Sequence, residues 1–238
     1  MRREALMRAA DLYAKAGNQP ERASALERFV AEYPQPVADA EEAREKLAAA
    51  ALQRGDPSAL HWFREIVDAD ARAGAGRTDR TRYLAAKAQL ELAAPARDAF
   101  RRVRLVSPLK RSLVAKRKAL ESALSAYQAA LDYHVAEVTT AATFEMAELY
   151  HTLAQDVMSS ERPKRLSKDE LEQYEVLLEE QAYPFEEQAI TLHEANAARA
   201  RDGLYDEWVK KSYAALAELD PGRYGKTELT QDVVTTFK

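Results

Sequence analysis

The chain has 238 residues and a net charge of −4 at neutral pH, with 47% hydrophobic residues, 31% charged residues and no cysteine. This composition is typical of a globular protein, and the lack of cysteine excludes a disulfide framework, a thiolate zinc site and a cysteine nucleophile. The charge gives no indication of nucleic-acid binding, which usually requires a basic domain. No apolar run approaches the roughly 20 residues that span a bilayer, so we expect no transmembrane segment in this chain.

Helix-forming residues dominate the sequence, and prolines, glycines and capping residues divide it into segments of helical length. Ala, Leu, Glu and Arg are abundant, whereas there are only 7 Gly and 9 Pro, which favours helix over a large sheet. The divisions predict about eleven helices. In chain order they lie near 2–16, 20–33, 37–54, 57–70 and 79–93, from Pro95 to Ser107, near 108–132 and 134–159, from Ser167 to Tyr183, from Pro184 to Gly203, and near 206–219.

Some helix ends are indicated by specific residues. Gly17 and Gly55 are expected to end helices as C-caps, and Ser167 with Glu170 has the spacing of a capping box. The tail from Thr227 is rich in β-branched residues and has no helical period. We therefore predict a helical repeat domain over 1–221 and an extended or disordered tail over 222–238.

Short loops between these helices predict antiparallel hairpins packed side by side, and small and aromatic residues recur within them. The positions are Ala10, Tyr13, Gly17, Leu26, Phe29 and Pro34 in the first hairpin, and Ala123, Tyr127, Ala130, Met146, Ala147 and Tyr150 in the seventh and eighth helices. This spacing resembles the tetratricopeptide repeat, a 34-residue helical hairpin. The resemblance implies an all-α fold, a right-handed α-solenoid of stacked hairpins with degenerate repeats. A helical bundle without repeats is the alternative.

The second half of the chain carries a narrower resemblance, in the segments 136–143, 147–150, 160–163, 177–190 and 203–209. They are similar to periplasmic tetratricopeptide proteins of Gram-negative bacteria that accompany TonB–ExbB–ExbD-like or gliding-motility machinery. The resemblance implies a periplasmic scaffold with protein partners in that machinery, and it supplies no catalytic residue. Because helical sequence begins within the first residues, we expect a signal segment to lie outside the sequence. A cytoplasmic regulatory adaptor of the same fold is the alternative.

Few residues suggest catalysis. Glu148 and His151 form one E-x-x-H pattern, whereas a di-iron bundle needs two such patterns and two further glutamates. The sequence has no H-E-x-x-H, nucleophile elbow or P-loop, and nothing in it indicates that a serine and a histidine meet. We predict a non-catalytic protein-binding scaffold without cofactor or metal. An enzyme or metal-binding helical bundle that uses Glu148 and His151 is the alternative.

Charge is segregated along the chain. The segment from Arg97 to Lys118 contains nine cationic residues and a single acid, Asp98, and the segment from Asp169 to Glu187 contains eight acids and no Lys or Arg. The simpler interpretation is two solvated faces, which attract each other within or between chains. A basic run can also favour an anionic membrane surface. The sequence leaves the oligomeric state open.

The acidic segment is the better docking candidate, because aromatic residues, which are enriched in interfaces, lie among its acids. The candidate protein-binding residues are Glu172, Glu175, Glu179, Glu180, Tyr183, Glu186 and Glu187.

Overall fold

The structure, a computed structural model, describes residues 2–226. Within that range it contains ten α-helices, two short 3₁₀ segments and no strand, which confirms the all-α class. The helices are α1 (Arg2–Lys15), α2 (Gln19–Glu32), α3 (Val37–Gln53), α4 (Ser58–Arg72), α5 (Asp79–Arg102), α6 (Leu109–Leu131), α7 (Ala136–Met158), α8 (Lys168–Ala198), α9 (Glu207–Leu219) and α10 (Pro221–Tyr224). The tail predicted from Thr227 onward lies outside the described residues.

Side chains cap the predicted helix starts. Ser167 and Glu170 form the predicted capping box at the start of α8, each accepting from the backbone N–H of the other. At α4, the Asp56 carboxylate accepts from the N–H of Ser58 at 2.9 Å. The sequence predicts that α4 begins near Pro57, and in the structure it begins at Ser58, one residue later. Both carboxylates satisfy backbone donors that have no partner within their helix.

Two of the predicted helix boundaries are wrong. Pro95 lies inside α5 and Pro184 lies inside α8, so that each predicted pair of helices is one continuous helix. A proline removes one backbone hydrogen bond and strains the preceding turn, but both prolines are exposed. Residues on either side of them, such as Ala93 and Phe100 in α5, are fully buried. Packing on both sides holds the helix together across the missing bond.

The chain divides into two compact units, and the division falls within α7. The first consists of Met1–Ala142 with Ser160–Pro163, and the second of Thr143–Ser159 with the chain from Lys164 onward. In the first unit, each helix from α1 to α6 contacts the next one, and α3 also contacts α5. This order is compatible with stacked hairpins of a solenoid. The handedness of the solenoid and the single domain over 1–221 stay predictions.

Small residues form much of the core of the first unit. Ala10, Leu26 and Phe29 of the predicted repeat pattern are buried together with Ala43 of α3 and Leu47. Alanine at these positions allows helix axes to approach, and larger side chains fill the remaining space. The repeat-like spacing therefore identified core residues in the first hairpin.

Polar pairs connect the odd-numbered helices of the first unit. Lys46 of α3 donates to Asp11 of α1 at 2.9 Å. Arg80 of α5 donates through Nε and Nη2 to the two carboxylate oxygens of Glu42 in α3, at 2.5 and 3.0 Å. The hydroxyl of Tyr83 donates to Glu137 at 3.0 Å. These pairs link successive odd-numbered helices of the unit, and α3 and α5 are also in direct contact.

Ala147 offers a test of the predicted repeat positions in the second unit. It is fully buried, so we expect Ala147→Leu to lower the free energy of unfolding by about 1–3 kcal/mol through overpacking. Urea unfolding with Ala195→Leu as control, at an exposed position of α8, measures the difference. An unchanged stability of Ala147→Leu would mean that the predicted repeat phase is wrong. The predicted packing of Ala147 against Tyr127 stays a prediction.

Candidate functional site

The predicted docking residues all lie on α8, in the second unit. Glu172, Glu175, Glu179, Glu180, Tyr183 and Glu187 are exposed, and Glu186 is half-buried. Residues at positions 172, 176, 179, 183 and 187 follow one another at steps of three or four, which places them on one side of the helix. The α8 acidic surface is defined here as these seven predicted residues together with Val176 and Leu177.

Apolar side chains lie exposed among these carboxylates. Val176, Leu177 and Tyr183 are 54%, 55% and 59% exposed. Isolated apolar residues are normal on a protein surface, but a group that is rimmed by charges is typical of interaction sites. Tyr183 is among the residues predicted from the sequence, whereas the two aliphatic residues are not, because the charge pattern does not show which side chains of this segment are exposed.

The acidic surface ends in an open depression beside α9. Tyr183, Glu187, Ile190, Thr191 and Leu219 line part of it, and its volume is about 440 Å³. The Tyr183 hydroxyl donates to Glu187 Oε1 at 2.6 Å, and this hydrogen bond raises the pKa of the phenol above its usual range. The tyrosine therefore remains a neutral donor, held at the edge of a depression that can accept a side chain of a partner.

The carboxylates of this surface stand close together on one helix. Like charges three or four residues apart destabilise a helix by a few tenths of a kcal/mol per pair. At the start of α8, Lys168 Nζ lies 4.0 Å from Glu172 Oε1. Cations supplied by a partner would relieve this repulsion, and the exposed apolar side chains would gain from burial.

The basic segment is mostly a solvated face, as the simpler interpretation predicts, but Arg97 is half-buried and Lys116 is fully buried. Arg101, Arg102, Arg104, Lys110, Arg111, Arg117 and Lys118 are exposed. Lys116 is instead 0% exposed, and its Nζ donates to the carbonyls of Phe100 and Val103, both at 2.9 Å. Lys116 therefore belongs to the core and not to the surface.

A second candidate site is a buried polar network in the second unit. His193 Nδ1 lies 3.3 Å from Ser212 Oγ, and its Nε2 lies 3.5 Å from Glu148 Oε1. The order serine, histidine, carboxylate is that of a hydrolytic triad, but His193 Nε2 makes no hydrogen bond to the carboxylate. The expectation that no serine and histidine meet is therefore wrong. Ser212 shares the apolar side of α9 with Val209 and Leu216, so the sequence could indicate that Ser212 is buried. The sequence could not indicate which residue would be its hydrogen-bond partner.

Burial argues against catalysis by this network. Ser212 and His193 are both fully buried, so a substrate has no access to the hydroxyl. Ser212 Oγ also accepts from Asn196 Nδ2 at 2.9 Å, and Asn196 Oδ1 accepts from Arg199 at 2.8 Å. These bonds satisfy polar groups that would otherwise be buried without partners. The hydrogen bonds of the network therefore join α8 to α9, and Glu148 of α7 lies beside them.

The alternative pair Glu148 and His151 is not assembled into a site. Glu148 faces His193, whereas His151 Nε2 lies 2.9 Å from the amide nitrogen of Gln155. Between residues 2 and 226, no group of three or more His, Asp or Glu side chains is placed to hold a metal ion.

An open depression in the first unit offers no selective chemistry. It has a volume of about 700 Å³ and lies against α1, α2 and α3. Its charged residues include both signs, and several of them pair with each other or with neighbours, as Arg3 does with Asp39 and Lys46 with Asp11. Such mutual pairing leaves little net charge with which to attract a ligand.

Comparison of the chain with family models, with curated proteins and with solved structures gave no match. None of the helices that the structure describes has the length and apolar character needed to cross a membrane.

Proposed function

We propose that this chain is a non-catalytic protein-binding scaffold and that the α8 acidic surface is the site where a partner docks. The observation that carries the proposal is the exposure of Val176 and Tyr183 in the middle of a carboxylate-rich helix face, with the exposed Leu177 at its edge. The partner surface is basic at its rim and apolar at its centre. Rim charges accelerate association and set the orientation, and the apolar centre supplies affinity.

The resemblance of the second half of the chain to periplasmic tetratricopeptide proteins supports a further proposal about its setting. The scaffold would act in the bacterial envelope, with a component of TonB–ExbB–ExbD-like machinery as its partner. Fractionation of the native cells tests this setting, with recovery in the periplasm as the expected result. Recovery in the cytoplasm would instead favour a regulatory adaptor.

Charge reversal tests the docking surface. We expect a triple variant, in which Glu172, Glu179 and Glu180 are all replaced by Lys, to associate with the native partner roughly tenfold or more slowly at low salt. The reason is that electrostatic steering depends on complementary charge. The difference is expected to shrink at high salt, where exposed charges are screened. Crosslinking in envelope extract identifies the partner, and stopped-flow mixing with the purified partner gives the rate.

A matched control carries the same change in net charge at other places. Glu27 of α2, Asp68 of α4 and Glu218 of α9 are exposed, and their replacement by Lys is expected to leave the rate within about twofold of the wild type. Equal rates for the two triple variants would contradict the assignment of docking to α8. Circular dichroism confirms that both variants are folded.

A further inference from the structure

The exposed side of α6 has an apolar centre surrounded by cations. Val114 is 65% exposed. The residues four and three positions before it are Lys110 and Arg111, and those three and four positions after it are Arg117 and Lys118, all of them exposed. On a helix these four positions surround the central one. The five residues are called the α6 basic surface.

The same pattern occurs on α8 with the opposite charge. Val176 is 54% exposed, and Glu172, Glu179 and Glu180 occupy the positions four before, three after and four after it. The fourth position holds the neutral Gln173. Each pattern spans nine residues, or about 12 Å of helix. Two such helices packed side by side would bury the two valines and place three carboxylates opposite four cations.

From this match we infer that the chain binds a second copy of itself, with the α6 basic surface of one copy docked on the α8 acidic surface of the next. The inference rests on the proposed function, since it uses the same α8 surface, and it names a partner for it. Each surface has an exposed valine at its centre, and the charges around the two valines are opposite in sign at the same spacing.

The geometry of this interface determines what assembles. The two surfaces are different, so a pair of copies retains one unoccupied surface of each kind and can add further copies, as a ring or an open chain. The contact is small, with less than about 1,200 Å² of buried surface, which is typical of weak and transient association. Most of its selectivity comes from charge, so the association depends strongly on salt.

Sedimentation velocity at increasing protein concentration tests the inference. At low salt we expect the wild type to associate in a concentration-dependent way, and at high salt to sediment as a monomer. Charge reversal of either surface is expected to abolish association. In one triple variant Lys110, Arg117 and Lys118 are all replaced by Glu, and in the other Glu172, Glu179 and Glu180 are all replaced by Lys. Each reversed chain then carries two surfaces of like charge.

Mixing supplies the decisive control. The two reversed variants complement each other, so an equimolar mixture is expected to associate at low salt although neither variant does so alone. A chain with both surfaces reversed is expected to associate again by itself. A wild type that stays monomeric at every concentration, or a mixture that stays monomeric, would overturn the inference. Circular dichroism and melting temperature verify folding of each variant.

These outcomes separate self-association from the scaffold function. If the wild type is monomeric but the triple variant of Glu172, Glu179 and Glu180 no longer binds a foreign partner, the inference of self-association is wrong and the proposed function stands. If the mixture associates and no foreign partner depends on α8, the acidic surface serves only the second copy.

Discussion

Lys116→Ala is expected to lower the free energy of unfolding by about 3 kcal/mol, whereas Lys118→Ala on the same helix is expected to change it by less than about 0.5 kcal/mol. Both substitutions remove one lysine from α6. Lys118 is exposed, but Lys116 is fully buried, with Nζ hydrogen-bonded to the carbonyls of Phe100 and Val103 and 4.1 Å from the centre of the Phe100 ring.

The expected loss has two parts. The last carbonyls of a helix have no partner within it and carry partial negative charge, so a buried ammonium at the end of α5 is stabilising. Its removal leaves polar groups without a charged donor, and truncation of the stem leaves a cavity. Lys116→Met keeps most of the stem, so its loss of stability is expected to lie between those of the two alanine variants. Urea unfolding measures all three, and equal stability of Lys116→Ala and Lys118→Ala would contradict the burial of Lys116.

Glu41→Gln is expected to remove a pH dependence of stability that the wild type shows between about pH 4.5 and 8. Glu41 of α3 is fully buried, and neither carboxylate oxygen has a hydrogen-bond partner. Burial, followed by the charge of Asp70, raises its pKa to about 8, although Arg44 and Arg77 oppose the shift. The carboxyl is therefore neutral in the folded protein at pH 7.

The sign of the effect follows from proton binding. In the unfolded chain the carboxyl ionises near pH 4.5, so between this pH and about 8 the folded state holds one more proton. The free energy of unfolding falls as pH rises through this window, by roughly 3 kcal/mol between pH 4.5 and pH 7. Below the window Glu41 contributes no pH dependence, and above it the loss is complete.

Other carboxylates act in the opposite direction, so the difference between variant and wild type is the quantity to measure. Hydrogen bonds from backbone groups lower the pKa of Asp56 and of Glu170, and these groups stabilise the folded state as pH rises. Subtraction of Glu41→Gln unfolding data from wild-type data at each pH isolates Glu41. Glu27→Gln, at an exposed position of α2, is the control and is expected to keep the wild-type dependence. A difference that does not vary with pH would mean that Glu41 is ionised in the folded state.

The sequence predicted features that depend on neighbouring residues and missed those that depend on packing. The capping box at Ser167 and the left-handed glycine at Gly17 are local, and both were correctly predicted. The helix boundaries predicted at Pro95 and Pro184 are wrong. The prediction considers the backbone hydrogen bond that a proline removes, but not the packing of buried residues on either side of it. Of the seven residues predicted to bind a partner, six are exposed and Glu186 is half-buried, and their role in binding stays a prediction.

Tertiary contacts account for the other missed residues. The charge pattern places Lys116 among the surface cations, because its neighbours in the sequence are cations. Its burial instead depends on contacts with the end of α5, more than ten residues earlier in the chain. The network of Glu148, His193 and Ser212 spans three helices. A single sequence contains no signal for which buried polar groups meet, although it can indicate that Ser212 is buried and needs a partner.

The position of Lys116 also limits where the chain can be divided. Helical repeat arrays are often shortened by deletion at a loop, because each repeat contacts only its neighbours. A fragment that ended between α5 and α6 would lose the ammonium that caps the carbonyls of Phe100 and Val103. The last turn of α5 would fray, and the fully buried Phe100 would be exposed to solvent. A division of the chain between α5 and α6 is therefore expected to destabilise the part that retains α5.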